Sequence, residues 1–453
     1  MTIEISFLGA ADTVTGSRHL VHIGGRHIGL DCGMFQGFKV HRERNWQPPP
    51  RELVEADALV LSHAHLDHSG WLPVLVRSGF RGPVYASPAT IDLAEVLLLD
   101  SAHLQEEDAR RANRYGYTRH AKALPLYTRR DVLRTLQRLV PLLPGREATV
   151  GDVRITLTPV GHLLGACAVT LAHGRERLVF SGDLGRQQDL LMPPPSRIAE
   201  ADVLLVESTY GNRAHPAVDA AAELGRIVRE TTQRGGSVLL PAFAVGRAQA
   251  LMLVLRRLKA AGQIPAGLPV FVDSPMATQA TALYHRHRRL LRIPPREAAQ
   301  LADGVRFVGD ARQSMALTRS RWPSVIISAS GMATGGRVLH HLKAMAPVDK
   351  HHIVFAGFQV GGSRGARLVA GATDVKIHGE YVPVRAQVSQ LEGFSGHADS
   401  DELVGWLRGF AKPPRQTFVV HGEPDAADAL RVRIQDELGW RVRVPQHGAT
   451  LGA

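Results

Sequence analysis

Cysteine is almost absent from this chain: two residues in 453, Cys32 and Cys167. Two thiols cannot build a disulfide framework, which excludes the small disulfide-stapled secreted class and makes a reducing cytosol the expected setting. Long apolar runs are missing too, so no helix is expected to cross a membrane. Residues 1–8 are acidic and strand-like, without a basic stretch leading into an apolar one, so no signal peptide is expected and a cytoplasmic location follows. Neither an internal repeat nor a long low-complexity tract is visible. Aromatics are few, 6%, within an otherwise ordinary folded balance of 44% hydrophobic and 21% charged residues.

A chain of this length exceeds one hydrophobic core, so two domains are expected. Lys and Arg number 54 against 42 Asp and Glu, a formal excess of +12. Such an excess suits a polyanionic partner, because basic surface releases counterions from a phosphate backbone; solubility alone would explain it equally well. Short apolar strands alternate with helical stretches throughout, which reads as α/β. Residues 3–8, 20–23 and 27–30 read as an opening β-meander, and 93–114 as a long amphipathic helix. Two further helices, 220–232 and 248–261, each lead through a Gly or Pro break into an apolar strand, at 237–240 and 270–272. That alternation suggests an independent α/β domain within residues 208–373, set into a first domain made of 1–207 and 374–453.

The strongest chemical signal is His63-Ala64-His65-Leu66-Asp67-His68, directly after the apolar run Ala58-Leu59-Val60-Leu61-Ser62. Imidazole and carboxylate are suited to zinc and similar divalent ions. Four such groups in six residues at a strand end are hard to explain as packing. Alternating His63 and His65 can face one ion, while Asp67 and His68 can face a second. His162, Asp183 and His421 each follow a strand-forming run in the same way, and Asp183 has two oxygens with which to bridge. Asp31, also at a strand end, suits the orientation of a ligand imidazole. Taken singly, His162 and His421 read equally well as surface residues; the repeated placement is what singles them out.

These residues resemble the metallo-β-lactamase superfamily, with Asp31, the HxHxDH run, His162 and Asp183 matching its core motifs. Glu207 in Val206-Glu207-Ser208-Thr209-Tyr210-Gly211, His397 in Phe394-Ser395-Gly396-His397-Ala398-Asp399, and His421 in Val420-His421-Gly422-Glu423 narrow the resemblance to the β-CASP nucleases. It extends over nearly the whole chain, through residues 241–247, 328–332 and 357–359. The family implies an αββα sandwich with an inserted α/β β-CASP domain. It implies one ion on His63, His65, His162 and Asp183, and another on Asp67, His68, His421 and the shared Asp183. With five imidazoles in the two sets, two Zn2+ are expected, with Mn2+ as the alternative. By the same resemblance, a metal-activated hydroxide attacks phosphorus, His397 is the general acid, and Glu207 orients it. The plain alternatives are a capping role for Glu207 and a turn or capping role for His397 ahead of residues 398–401. No N-terminal RNA-binding extension of the archaeal kind is seen, which implies a minimal catalytic unit.

Within the family, a histidine at 421 favours RNA over DNA. Single-stranded RNA is therefore the expected substrate, cut to 5′-phosphate and 3′-hydroxyl ends by endonuclease action, with exonuclease action as the alternative. Ser330, Arg337 and Arg364 lie in glycine-rich loops that could cradle phosphate, although ordinary glycine turns explain the same spacing. Residues 285–289 form a basic run beside Tyr284, the one residue there able to stack on a base. Two other classes fit the fold: a small-molecule hydrolase such as a thioesterase or lactonase, and a non-catalytic RNA-binding subunit. The size of the insertion argues against the first, and the complete ligand set against the second.

Overall fold

The computed structural model describes residues 3–116, 121–216, 219–357 and 359–453. Phe358, which the sequence placed in the 357–359 motif, lies outside them. The chain divides into two compact units, residues 1–214 with 397–453, and residues 215–396. The sequence expectation set these boundaries at 207/208 and 373/374. Both contact boundaries lie further along the chain, the first after Ala214; for the second, the strand Gln387–Gln390 pairs in parallel with His352–Phe355, which keeps the stretch up to 396 in the second unit.

In the first unit, two seven-stranded sheets pack face to face. One begins with the antiparallel ladder Glu4–Gly9, Arg18–Ile23, Arg26–Leu30 and continues in parallel through Ala58–Val60, Val84–Ala86 and Leu139–Pro141. The closing strand Thr450–Gly452 pairs with the first. The second sheet runs antiparallel from Glu147–Val150 to Glu176–Phe180. It then turns parallel through Val203–Val206, Gln416–Val419 and Val442–Arg443. Alternation decides which side chains enter the space between them: in Val153–Pro159, Val153, Ile155 and Leu157 are buried while Arg154 points out. Ile5, Phe7, Val21, Ile28 and Leu30 from one sheet meet Leu157, Val169, Phe180, Leu205 and Phe418 from the other in a single core. Phe7 and Phe418 meet across it with ring centroids 5.1 Å apart, a tilted contact worth about 0.5–1.5 kcal/mol beyond the area it buries.

The second unit holds a six-stranded sheet, all parallel, with Val238–Pro241 and Val325–Ser328 at its centre. Both strands are buried along their whole length, as their unbroken apolar runs require of a sheet covered on two faces. The helices Ala220–Gln233 and Arg247–Ala260 supply part of that cover. The first starts on an Asp219 side chain that accepts from the amides of Ala221 and Ala222.

Among the described residues, no helix is long and apolar enough to cross a membrane. Cys32 and Cys167 are both buried and unpaired.

Candidate metal centre

Five strand ends of the first unit deliver the polar cluster. Asp31 follows Arg26–Leu30, the HxHxDH run follows Ala58–Val60, His162 follows Val153–Pro159, Asp183 follows Glu176–Phe180, and His421 follows Gln416–Val419. After a strand, the backbone must turn sharply to aim a side chain back along the sheet. Asp31 and His421 do so in the left-handed region, with φ of 59° and 52°. A β-carbon makes that region costly, and such positions concentrate at functional sites. Glycine permits the close approaches around them: a Cβ on Gly33 would collide with the carbonyl of Asp67, and one on Gly185 with that of Gly161.

His63, His65, His162 and Asp183 bring ligand atoms within 4.8 Å of one another, as do Asp67, His68 and His421. In the first group, His65 Nδ1 lies 3.2 Å from both His63 Nε2 and His162 Nε2. Asp183 Oδ2 lies 3.6 Å and 3.5 Å from the same two nitrogens. A tetrahedral ion with bonds of about 2.0–2.1 Å has ligand edges of about 3.3–3.4 Å, so these four atoms fit one zinc ion. In the second group, His68 Nε2 is 2.9 Å from His421 Nε2 and 4.0 Å from Asp67 Oδ2, and His421 Nε2 is 3.7 Å from Asp67 Oδ2. The other oxygen of Asp183, Oδ1, is 3.3 Å from His68 Nε2 and 3.4 Å from His421 Nδ1. One carboxylate therefore faces both groups, an oxygen to each.

Burial sets the charges. It pushes His65 down to about 4, and burial with the neighbouring His68 keeps His63 well below the usual imidazole range. Asp67 is held at about 2: burial opposes ionisation, and the His421 hydrogen bond and His68 outweigh it. Asp183 is likewise kept ionised against burial by His421, His68 and His63. Those are the states a cation requires, two carboxylates ionised and two imidazoles neutral. His68 goes the other way, held protonated against burial by Asp183 and Asp31, so a cation arriving there displaces a proton.

Asp31 does not face the ligand space. Its Oδ2 meets His68 Nδ1 at 2.7 Å, while its Oδ1 accepts the Ser62 amide at 2.7 Å, which fixes the imidazole's rotation. Three hydroxyls that sequence reasoning missed belong to this layer. Ser17 Oγ and Ser62 Oγ each donate to Asp31 Oδ2 at 3.0 Å, and Thr209 Oγ1 is 3.2 Å from His421 Nδ1. Ser62 adjoins the histidine run and Thr209 adjoins Glu207, so neighbourhood was the available signal.

Glu207 is fully buried. Its carboxylate accepts from the amides of Leu184 (2.5 Å) and Thr209 (3.3 Å), and its two oxygens lie 3.4 Å and 3.3 Å from His397 Nδ1. The His397 ring packs on His162, centroids 4.4 Å apart, and Nδ1 is 3.8 Å from Asp183 Oδ2. Burial works against charge on His397, and Glu207 outweighs it, raising the imidazole above its ordinary value. The helix Ser400–Leu407 is capped by Asp399 in a capping box with Glu402, so His397 is not its cap.

The loop residues of the second unit are engaged differently from the sequence expectation. Arg337 Nη1 donates to Asp273 Oδ1 at 2.7 Å and to the Val308 carbonyl at 3.1 Å. Arg364 donates to the carbonyls of Lys376 and Ala333. Both guanidinium groups thus brace protein structure. Ser330 stays on the loop surface, 3.0 Å from Thr334 Oγ1. Tyr284 is fully buried and cannot stack on a base.

Three family models match the chain: Beta-lactamase superfamily domain over residues 26–234, Beta-Casp domain over 248–368, and Zn-dependent metallo-hydrolase RNA specificity domain over 381–445. The chain is 40% identical to the Thermus thermophilus protein named Ribonuclease TTHA0252, across 93% of this chain and 94% of that one. It is 32% identical to Transcription termination factor FttA of Methanocaldococcus jannaschii, across 95% of this chain and 69% of that one. A crystal structure of a protein of unknown function from Enterococcus faecalis V583 shares the fold over the full length of both chains, with a TM-score of 0.59 at 14% identity. With the ligand geometry and a relative this similar along its whole length, the chain belongs to the β-CASP family of the metallo-β-lactamase superfamily.

Proposed function

We propose that this protein is a metal-dependent ribonuclease that hydrolyses phosphodiester bonds in single-stranded RNA, leaving 5′-phosphate and 3′-hydroxyl ends. The observation that carries this reading is the pair of ligand groups sharing Asp183, set beside the Glu207–His397 pair. His63, His65, His162 and Asp183 would hold one zinc ion, and Asp67, His68, His421 and Asp183 a second. When bound, two such ions supply Lewis-acid charge that lowers the pKa of a water and offsets charge gathering on the phosphate oxygens. Glu207 holds the His397 ring in place and favours its protonated form. Water supplies the oxygen that joins phosphorus, the bond from phosphorus to the 3′ oxygen breaks, and His397 passes a proton to that oxygen, which leaves 5′-phosphate and 3′-hydroxyl ends without the 2′-hydroxyl as nucleophile.

RNA as the substrate class is supported by the name of the matched 381–445 domain and by the relative named a ribonuclease. The net charge of +12 suits that polyanion. In the second unit, Ser330 is the residue assigned to a phosphate contact, with Arg337 and Arg364 shaping the loops around it. A reducing cytosol suits the two buried thiols.

The test incubates pure protein with end-labelled single-stranded RNA, single-stranded DNA and a small ester, with and without a chelator, and maps the products. Chelator-sensitive cutting of RNA with 5′-phosphate ends is the expected result. Equal turnover of the small ester would replace the reading with a small-molecule hydrolase. Tight RNA binding without any cutting would make the chain a silent subunit.

A further inference from the structure

The loop that carries Asp31 shapes a second feature that the metal centre does not use. Beyond Gly33 it turns Phe35 into the first unit, where it is 2% exposed. Four basic side chains gather about that ring. Arg18 and Arg44 place their guanidinium carbons 4.9 Å and 5.4 Å from its centroid. His41 stacks on it at 6.4 Å, and His447 meets it edge-on at 5.9 Å. They come from distant parts of the sequence: the strand Arg18–Ile23, the helix Lys39–Glu43, the turn Arg44–Trp46, and the stretch before Thr450–Gly452. A cavity of about 120 Å³ opens here, walled by Arg18, Phe35, Arg44, Trp71 and His447 and elsewhere by apolar residues such as Leu8, Pro48 and Leu53.

Its charge is one-sided. Arg18 is 5% exposed, lies 3.7 Å over the Trp71 ring, and donates to the Gly33 carbonyl and to Asn45 Oδ1, both neutral. His41 Nδ1, Arg44 Nη1 and His447 Nδ1 are buried and have no hydrogen-bond partner among the described residues. Burial, reinforced by Arg44, lowers both imidazoles, and Arg18 adds to this at His447; Asp12 pulls His447 weakly the other way. Buried polar atoms normally find partners, and leaving them without costs stability. An oxyanion presents several acceptors at once to such a fork of donors. The cavity also exceeds the roughly 30 Å³ that one water occupies in the liquid. On the same segment, Phe38 and Trp46 are 50% and 60% exposed, aromatic faces beside a cationic cavity. That combination suits single-stranded nucleic acid, whose bases stack while its phosphates pair.

We infer that this cavity is a phosphate subsite for single-stranded RNA: Arg18, Arg44 and His447 hold one backbone phosphate, and Phe38 and Trp46 stack adjoining bases. The assignment rests on the ribonuclease reading and extends it by fixing where the strand runs on the first unit.

Single-turnover cleavage of 5′-labelled single-stranded RNA by the zinc-loaded full chain, followed against protein and salt concentration, tests it. Arg44→Ala should raise the half-saturating protein concentration about tenfold. It should also make the log–log salt dependence shallower by about 0.7, the share of one phosphate contact. Trp46→Ala, at a position 60% exposed, should raise it similarly with the salt slope unchanged. Arg130→Ala, an exposed cation on the helix Arg129–Leu136, is the matched charge control. Inorganic phosphate should compete with RNA less well against Arg44→Ala than against the parent. If the parent cuts RNA and both variants match it, the subsite is wrong and the ribonuclease reading stands. If Arg44→Ala loses only phosphate inhibition, the cavity takes a free anion and the RNA assignment falls. A parent that cuts no RNA removes the functional reading itself.

Discussion

His397→Ala separates a proton donor from a metal ligand. Its Nδ1 sits 3.3 Å and 3.4 Å from the two oxygens of Glu207, and those groups with Asp183 could themselves be read as a third ligand set. The competing readings give different numbers. If His397 donates a proton, truncation removes one positioned acid, worth about 10²–10⁴ in rate, or about 3–5 kcal/mol of barrier. The seven residues of the two main groups are untouched, so on the proposed two-ion reading the folded variant should keep its full metal content and its affinity for RNA. Glu207→Gln preserves shape but removes the negative charge that favours the imidazolium. It should cost a smaller part of the same factor, and the double variant should cost little more than His397→Ala alone. The assay is elemental analysis of purified protein, combined with single-turnover cleavage at saturating protein. Near-normal cleavage by a folded, fully loaded His397→Ala protein would refute the acid assignment; loss of an ion in that variant would make His397 a ligand.

Asp183→Asn, which weakens the carboxylate facing both groups, should lower the content of both ions together and abolish cleavage, as measured by metal analysis and RNA turnover. In the second unit, Arg337→Ala leaves the buried Asp273 with Ser314 and His341 but without its cation. A loss of about 1–3 kcal/mol is expected in denaturant unfolding, without change in metal content. His352, buried and bonded to Ser389 Oγ at 2.8 Å, is pushed to about 4 by burial, with Arg234 and Arg226 adding. The unfolded chain takes up that proton near the ordinary value of about 6.5 while the folded chain does not. Stability should therefore fall as pH drops from about 6.5 towards 4, by up to about 3 kcal/mol, and His352→Gln should flatten that part of the unfolding profile.

The convergence of these side chains was legible because each candidate ligand follows an apolar strand, and strands of one sandwich end at a common edge. Asp31, His162, Asp183 and His421 are separated by long stretches of sequence, yet that single rule gathers them. The hydroxyls of Ser17, Ser62 and Thr209 were not legible, since a serine or threonine has no spacing rule when its partner is remote. Arg337 and Arg364 misled for a related reason. An arginine in a glycine-rich loop looks like a phosphate fork until its acceptor is known, and Asp273 lies 64 residues away from Arg337. The sequence reading and the contact boundary part company at the second junction because Gln387-Val388-Ser389-Gln390 is an edge strand, polar and only partly buried. Without apolar alternation, an edge strand reads as a linker.

His421 lies 353 residues beyond the His68 it meets at 2.9 Å. Synthesis runs from the N-terminus, and folding units form as they emerge. All of residues 215–396 must therefore be made before the last ligand and His397 exist. A growing chain that has passed Asp183 already holds all four residues of one group, His63, His65, His162 and Asp183, while the other still lacks His421. For a ribonuclease made on an RNA template, that order has a consequence: the chain gains its cutting centre only after residues 215–396 have been made. A product that stops before residue 397 would lack both His397 and His421.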